Sequence, residues 1–172
     1  MITSTNLTRA VGASALLVAL CAFASPSISA DDRCKNVTGK AVWTLVPAAD
    51  PLGRLVGPNT GVLKAAATSS LTSLVPQPNG SLIGTGNHVW VLGPQDLLVF
   101  SGVATFAPLA GEPIGTVSDS ETLTVISGTG KYAGATGTII VTGIGYNVFG
   151  PAAGPGSTFF DVRYDGTVCR AN

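Results

Sequence analysis

One histidine, His88, and one closely spaced pair of carboxylates, Asp119 and Glu121, are the groups in this 172-residue chain best suited to moving protons. An imidazole titrates near neutrality, and two carboxylates can divide the roles of acid and base, as in glycoside hydrolysis. A lone histidine excludes a multi-histidine metal site, and no G-x-S-x-G elbow accompanies it to suggest a hydrolase. Around it the pattern alternates, so His88, Trp90 and Leu92 share a strand face. His88 is then either a polar group at a cavity mouth or, more plainly, a structural or surface histidine. Asp119 and Glu121, two positions apart, also share a face. Their plainest reading is a solvated strand entrance. Turned inward, a carboxylate in an apolar barrel would have a raised pKa and become a functional candidate. Glu121 and His88 are therefore the catalytic candidates.

Three other groupings deserve the same comparison. Asp161 and Arg163 share a face, with Phe160, Val162 and Tyr164 opposite, which reads as an outward ion pair over a core-facing aromatic row. Trp90, Tyr132 and Tyr146 are candidates to line a ligand cavity, although scattered aromatics also serve as core residues with their polar tips satisfied. The segment "SGTGKYAGATG", Ser127 to Gly137, has the glycine content of a phosphate cradle. Its spacing is G-x-G-x-x-x-G rather than G-x-G-x-x-G, Gly130-Lys131 is followed by tyrosine rather than Ser or Thr, and no helix pattern follows. It reads as a turn, with Tyr132 a plug over a barrel end and Lys131 snorkelling. No metal site and no cofactor are implied.

The elements that must position these residues are strands. Alternating, β-branched stretches recur from "KNVTGKAVWTLVP" to "TFFDVRYDGTVC", separated by Gly/Pro turns, and no long amphipathic helix is evident. "QPNGS" is a turn, and Gly93 to Asp96 makes a hairpin between two strands. "ADPLGRLVGPNTG" reads as a loop, a candidate mouth or lid. "VLKAAATSSLTSLV" is ambiguous between helix and strand and is read as strand. Seven or eight strands at this spacing predict an all-β domain, an antiparallel closed barrel with a β-sandwich as the alternative. The order Cys34, Trp43, Cys169 superficially matches an immunoglobulin pattern, but cysteines at opposite chain ends do not suit it.

Residues 1–30 read as a signal peptide: Arg9, the apolar run Ala10 to Ala24, then small residues with cleavage after Ala30, or after Ser27 as the second choice. The run is short for a membrane span, and no later segment is better suited, so no integral membrane segment is expected after signal removal. Cys21 follows "VAL", whose leucine is bulky for a lipidation site. Residues 31–172 then form a single barrel domain with two cysteines, Cys34 and Cys169, expected to join in one disulfide, as suits a secreted, extracytoplasmic protein. Beyond residue 30 there are eight Lys/Arg against nine Asp/Glu, without the basic stripe of a nucleic-acid binder.

"ISGTGKYAGATGTIIVTG" resembles the glycine–aromatic–Ala-x-Gly segment of the allene oxide cyclase and dirigent superfamily, particularly its exported bacterial relatives. The resemblance spans about the second half of the chain, from "DLLVFSGVATF" to "TVC", and the glycine motif is its specific part. It implies an eight-stranded, calycin-like barrel with an apolar cavity. It also implies the activities of those families: ring closure on a fatty-acid epoxide, or steering of radical coupling. The polar cavity residues of the families are not matched one by one here. Three functions follow as expectations. One is a secreted barrel that binds a small apolar ligand or serves as a non-catalytic structural module. Another is a cyclase-like or dirigent-like protein, isomerase-like if an enzyme. The third is a surface-associated or self-assembling β protein, which would have an interior filled by side chains and an apolar exterior patch.

Overall fold

The computed structural model describes residues 33–50 and 52–171, so the expected signal segment, its cleavage point and Cys21 lie outside the described residues. Eight antiparallel strands close into a barrel in chain order: β1 (Cys34–Val46), β2 (Arg54–Gly61), β3 (Ala65–Pro76), β4 (Leu82–Val91), β5 (Leu97–Pro108), β6 (Val117–Gly128), β7 (Thr136–Tyr146) and β8 (Phe159–Cys169). Closure comes from β1 pairing with β8, in register from Cys34 opposite Cys169 to Thr44 opposite Phe159. The two cysteines are bonded, S–S 2.06 Å, as a cross-strand pair of that closing ladder. The barrel expectation therefore holds over the sandwich, and the ambiguous alanine-rich segment is strand β3.

Alternation decides what faces inward. In β6, Val117, Asp119, Glu121, Leu123 and Val125 are buried, while Ser120, Thr122, Thr124 and Ile126 between them are exposed. Trp43, Trp90, Phe100, Phe106, Phe160 and Tyr164 fill the interior from the other strands. Phe160, Val162 and Tyr164 face in and Asp161, Arg163 and Asp165 face out, as the sequence predicts. The expected Asp161–Arg163 ion pair does not form; ion pairs between described residues include Arg54–Asp50, His88–Glu121 and Lys131–Asp96. The outer wall carries charges mid-strand at Lys40, Asp161, Arg163 and Asp165, beside exposed apolar residues such as Val103, Ile126 and Ile140. No helix of the described residues is long and apolar enough to cross a membrane.

The structure corrects the reading of "ADPLGRLVGPNTG" as loop throughout. Its second half is β2, because glycine and proline here meet a spatial demand rather than a turn. A Cβ at Gly57 would run into the Val42 carbonyl of β1, so only glycine permits the strands to approach so closely. Pairing with β1 lapses between Ala41–Asn59 and Thr44–Val56, the place where Pro58 has no N–H to give. The first half remains a loop.

"SGTGKYAGATG" is a turn. Gly130–Tyr132 forms a single 3₁₀ turn between β6 and β7, with φ +57° at Gly130 and +68° at Gly134. The position an anion would need is taken by Asp96, whose carboxylate accepts from the Lys131 amide at 3.0 Å and pairs with its ammonium at 2.8 Å. Tyr132 is buried at this end of the barrel, as the plug reading expects.

Candidate functional site

β4 and β6 turn His88 and Glu121 inward, where they meet across β5. Register places Gly86 opposite Gly102 and Gly102 opposite Leu123, so β5 has no side chain at the point between them. A Cβ at Gly102 would collide with Glu121 Oε1 and lie 3.0 Å from Leu123 Cδ2 and 3.3 Å from the His88 ring. Glycine thus makes room for the contact. His88 Nε2 lies 2.8 Å from Glu121 Oε1 and 3.1 Å from Ser69 Oγ on β3, and all three residues are buried. Trp43 covers the imidazole at 5.5 Å between ring centroids and is itself fixed by donating from Nε1 to Asn59 Oδ1 at 2.9 Å.

The arrangement resembles a Ser-His-acid triad in composition but not in connectivity. A triad uses both ring nitrogens, one toward the serine and the other toward the acid. Here serine and acid share Nε2, and Nδ1 is buried without a partner. The serine is therefore not set up as a nucleophile. What the chain of groups can do is hold one proton at Nε2 and share it between the Glu121 carboxylate and the Ser69 hydroxyl.

Asp119 sits one inward position nearer the rim than Glu121 and is 5% exposed. Its expected place at a solvated strand entrance is wrong, because it alternates with Val117 and Glu121 into the barrel interior and has Phe106 and Gly143 as cross-strand neighbours. Burial, and secondarily the charge of Glu121, push its carboxyl up to about 8. It is a neutral acid at pH 7, with Oδ1 buried and unpartnered. Gly102→Ala should force Glu121 off His88 and overpack the site, lowering stability by about 1–3 kcal/mol. A urea melt gives that loss, and the imidazole ¹⁵N shifts should move with it.

Above this cluster lies a pocket of about 90 Å³, with walls that include Leu45, Leu55, Leu71, Leu74, Phe106 and Phe160 and with Leu52 and Gly53 over it. Those last two belong to the loop between β1 and β2, so the mouth-or-lid expectation holds for that half of the segment. Two polar side chains reach the pocket. The Thr158 hydroxyl is committed to the Asn147 carbonyl at 2.6 Å, which leaves Ser69 as the link to His88. The space is smaller than the apolar cavity that the family resemblance implies, because the aromatics occupy most of the interior. A hollow of about 630 Å³ beside Lys40, Thr142 and Arg163 is an open groove on the outer wall, lined chiefly by outward-facing residues.

The candidate ligand aromatics are not gathered around this pocket. Trp90 is fully buried between Phe100, at 4.8 Å, and Tyr164, at 5.2 Å. Tyr132 is at the opposite end of the barrel. Tyr146 faces outward, stacked on Phe159 at 4.6 Å, because the inward position beside it must be Gly145: a Cβ there would lie 2.6 Å from Phe160. Ser69 and Gly102 were missed by sequence reasoning. The alternation of Ala67, Ser69 and Leu71 was the available signal for the first, and nothing short of register points to the second. Among the described residues no group of three His, Cys, Asp or Glu side chains is arranged to hold a metal ion. No family model, curated protein or solved structure matches the chain.

Proposed function

We propose that this is an exported barrel that binds a small, mainly apolar molecule beneath Leu52 and presents the Ser69–His88–Glu121 chain to that molecule's polar group. The observation that carries the reading is Ser69 in the wall of an apolar pocket, hydrogen-bonded to a buried His88–Glu121 pair behind it. A purely structural core has no use for it, since buried charge and unpaired polar atoms each cost stability. Near this cluster, His88 Nδ1, Asp119 Oδ1 and Asn59 Nδ2 are buried without partners. Such atoms persist where a ligand or ordered water completes them. The leader-like first thirty residues and the single disulfide support export.

A second reading is favoured by the protonation pattern. Asp119, its carboxyl pushed up by burial, shares the inward face of β6 with Glu121 of the His88–Glu121 pair, so a proton donor and a proton acceptor stand two positions apart behind the pocket wall, the division of roles that acid–base isomerisation needs. This agrees with the cyclase-like function that the glycine segment suggests. Hydrolysis is disfavoured by the shared Nε2.

The test is recovery of the protein from its native source, followed by native mass spectrometry and solvent extraction. A stoichiometric small molecule is expected, and it should be lost from Leu71→Trp, which fills the pocket. Recovery of the same molecule from both proteins would exclude the mouth as its site, and empty wild-type protein that takes up no small apolar alcohol or ketone would overturn the reading.

A further inference from the structure

The other end of the barrel, where the disulfide lies, carries a second and chemically different pocket of about 140 Å³. Its apolar surface comes from Val37, Leu63, Tyr132 and Val168, and its cations are Lys35 and Arg170. The placement follows from the strands. Lys35 is two residues before inward-facing Val37 on β1, and Arg170 is two after inward-facing Val168, just beyond β8. Both continue the interior face of the barrel to its rim. The closing register, Lys35 opposite Val168 and the Arg170 amide bonded to the Arg33 carbonyl, sets them diagonally across the seam.

Two like charges over one apolar pocket call for an anion. Neighbouring Lys131 is neutralised at 2.8 Å by Asp96, which also feels the Arg170 charge at longer range, whereas neither Lys35 nor Arg170 makes an ion pair with a described residue. The Arg170 guanidinium lies 5.3 Å from the Tyr132 ring centroid, so its planar fork is set against the aromatic wall. A guanidinium matches a carboxylate with two parallel hydrogen bonds, and the ammonium adds a point charge. The volume is close to that of an engineered apolar cavity of roughly 150 Å³ that accepts benzene.

We propose that the disulfide end is a site for a small organic carboxylate, its apolar body against Leu63, Val168 and Tyr132 and its carboxylate between Lys35 and Arg170. The site is independent of the His88 cluster, from which Trp90 and the other core aromatics separate it.

Benzoate and its neutral analogue benzyl alcohol test this by calorimetry and by ¹H–¹⁵N shifts on the disulfide-bonded protein. Saturable benzoate binding is expected, with shifts at Val37, Leu63 and Val168, and benzyl alcohol should bind about tenfold more weakly. Lys35→Gln and Arg170→Gln should each weaken benzoate binding about five- to tenfold. Both residues are exposed, so the fold should tolerate these changes, and matching thermal melts check this. Leu71→Trp at the opposite mouth should leave benzoate binding unchanged. Equal binding of the two probes, unchanged affinity in the double variant Lys35→Gln/Arg170→Gln, or shifts confined to the opposite mouth would each overturn the proposal.

Discussion

Replacing Asp119 with asparagine is expected to stabilise the protein strongly at and above pH 8 and to remove the part of its pH dependence between about 4 and 8 that this carboxyl supplies. In the folded barrel the Asp119 carboxyl is pushed up to about 8 by burial and then by the Glu121 charge. In the unfolded chain it titrates in the ordinary carboxylate range, near 4. Between these values the folded state binds the extra proton, so stability falls as pH rises through this window. The full stability is present below about 4, is lost progressively toward 8, and does not change further above that on account of this group. At about 1.4 kcal/mol per unit of displacement, the span is on the order of 5 kcal/mol. Asparagine copies the shape of the neutral acid and has no charge to bury, so its profile should be nearly flat from this source. Urea melts from pH 4 to pH 9 on both proteins measure the difference. Parallel profiles would mean that Asp119 is solvated.

Removing the Cys34–Cys169 bond should have an effect of similar size through the unfolded state. The bond spans a sequence separation of 135 residues, and the chain-entropy model assigns a loop of that length roughly 4–5 kcal/mol. The cysteines are a cross-strand pair at the end of the β1–β8 ladder, so the bond also holds the seam where the first and last strands meet. The double variant Cys34→Ser/Cys169→Ser should unfold at a much lower urea concentration. Amide exchange in β1 and β8 should rise more than in β4 and β5, because only the seam loses its tie. An unchanged midpoint, or free thiols in exported protein, would contradict this.

Much of the barrel was legible because strand alternation and turn chemistry are local. The inward row Phe160, Val162, Tyr164 and the hairpin at Gly93 to Asp96 could be read residue by residue, and the terminal cysteines already suggested that the ends meet. β2 was not legible. Its Gly57 and Pro58 read as turn residues, and what makes them strand residues is the closeness of the Val42 carbonyl across the sheet. The same limit applied to the site. Alternation put Asp119 and Glu121 on one face, but which face is interior depends on the closed barrel. The His88–Glu121 contact needed Gly102, on a strand between them, to be without a side chain. Ser69 lies in a run of serines and threonines in which only its alternation with Ala67 and Leu71 singles it out as inward-facing.

His88 is the only histidine in the sequence, so its imidazole nitrogens give an unambiguous ¹⁵N signal. The most direct test of the site is to follow that signal in untagged protein as a small apolar ketone, cyclohexanone, is titrated in. If the mouth delivers a polar group to Ser69 and the cluster below it, the Nε2 resonance should shift saturably, in step with the methyl signals of Leu71, Leu74 and Val148. An imidazole signal that stays fixed to the solubility limit, while only surface resonances move, would contradict the account.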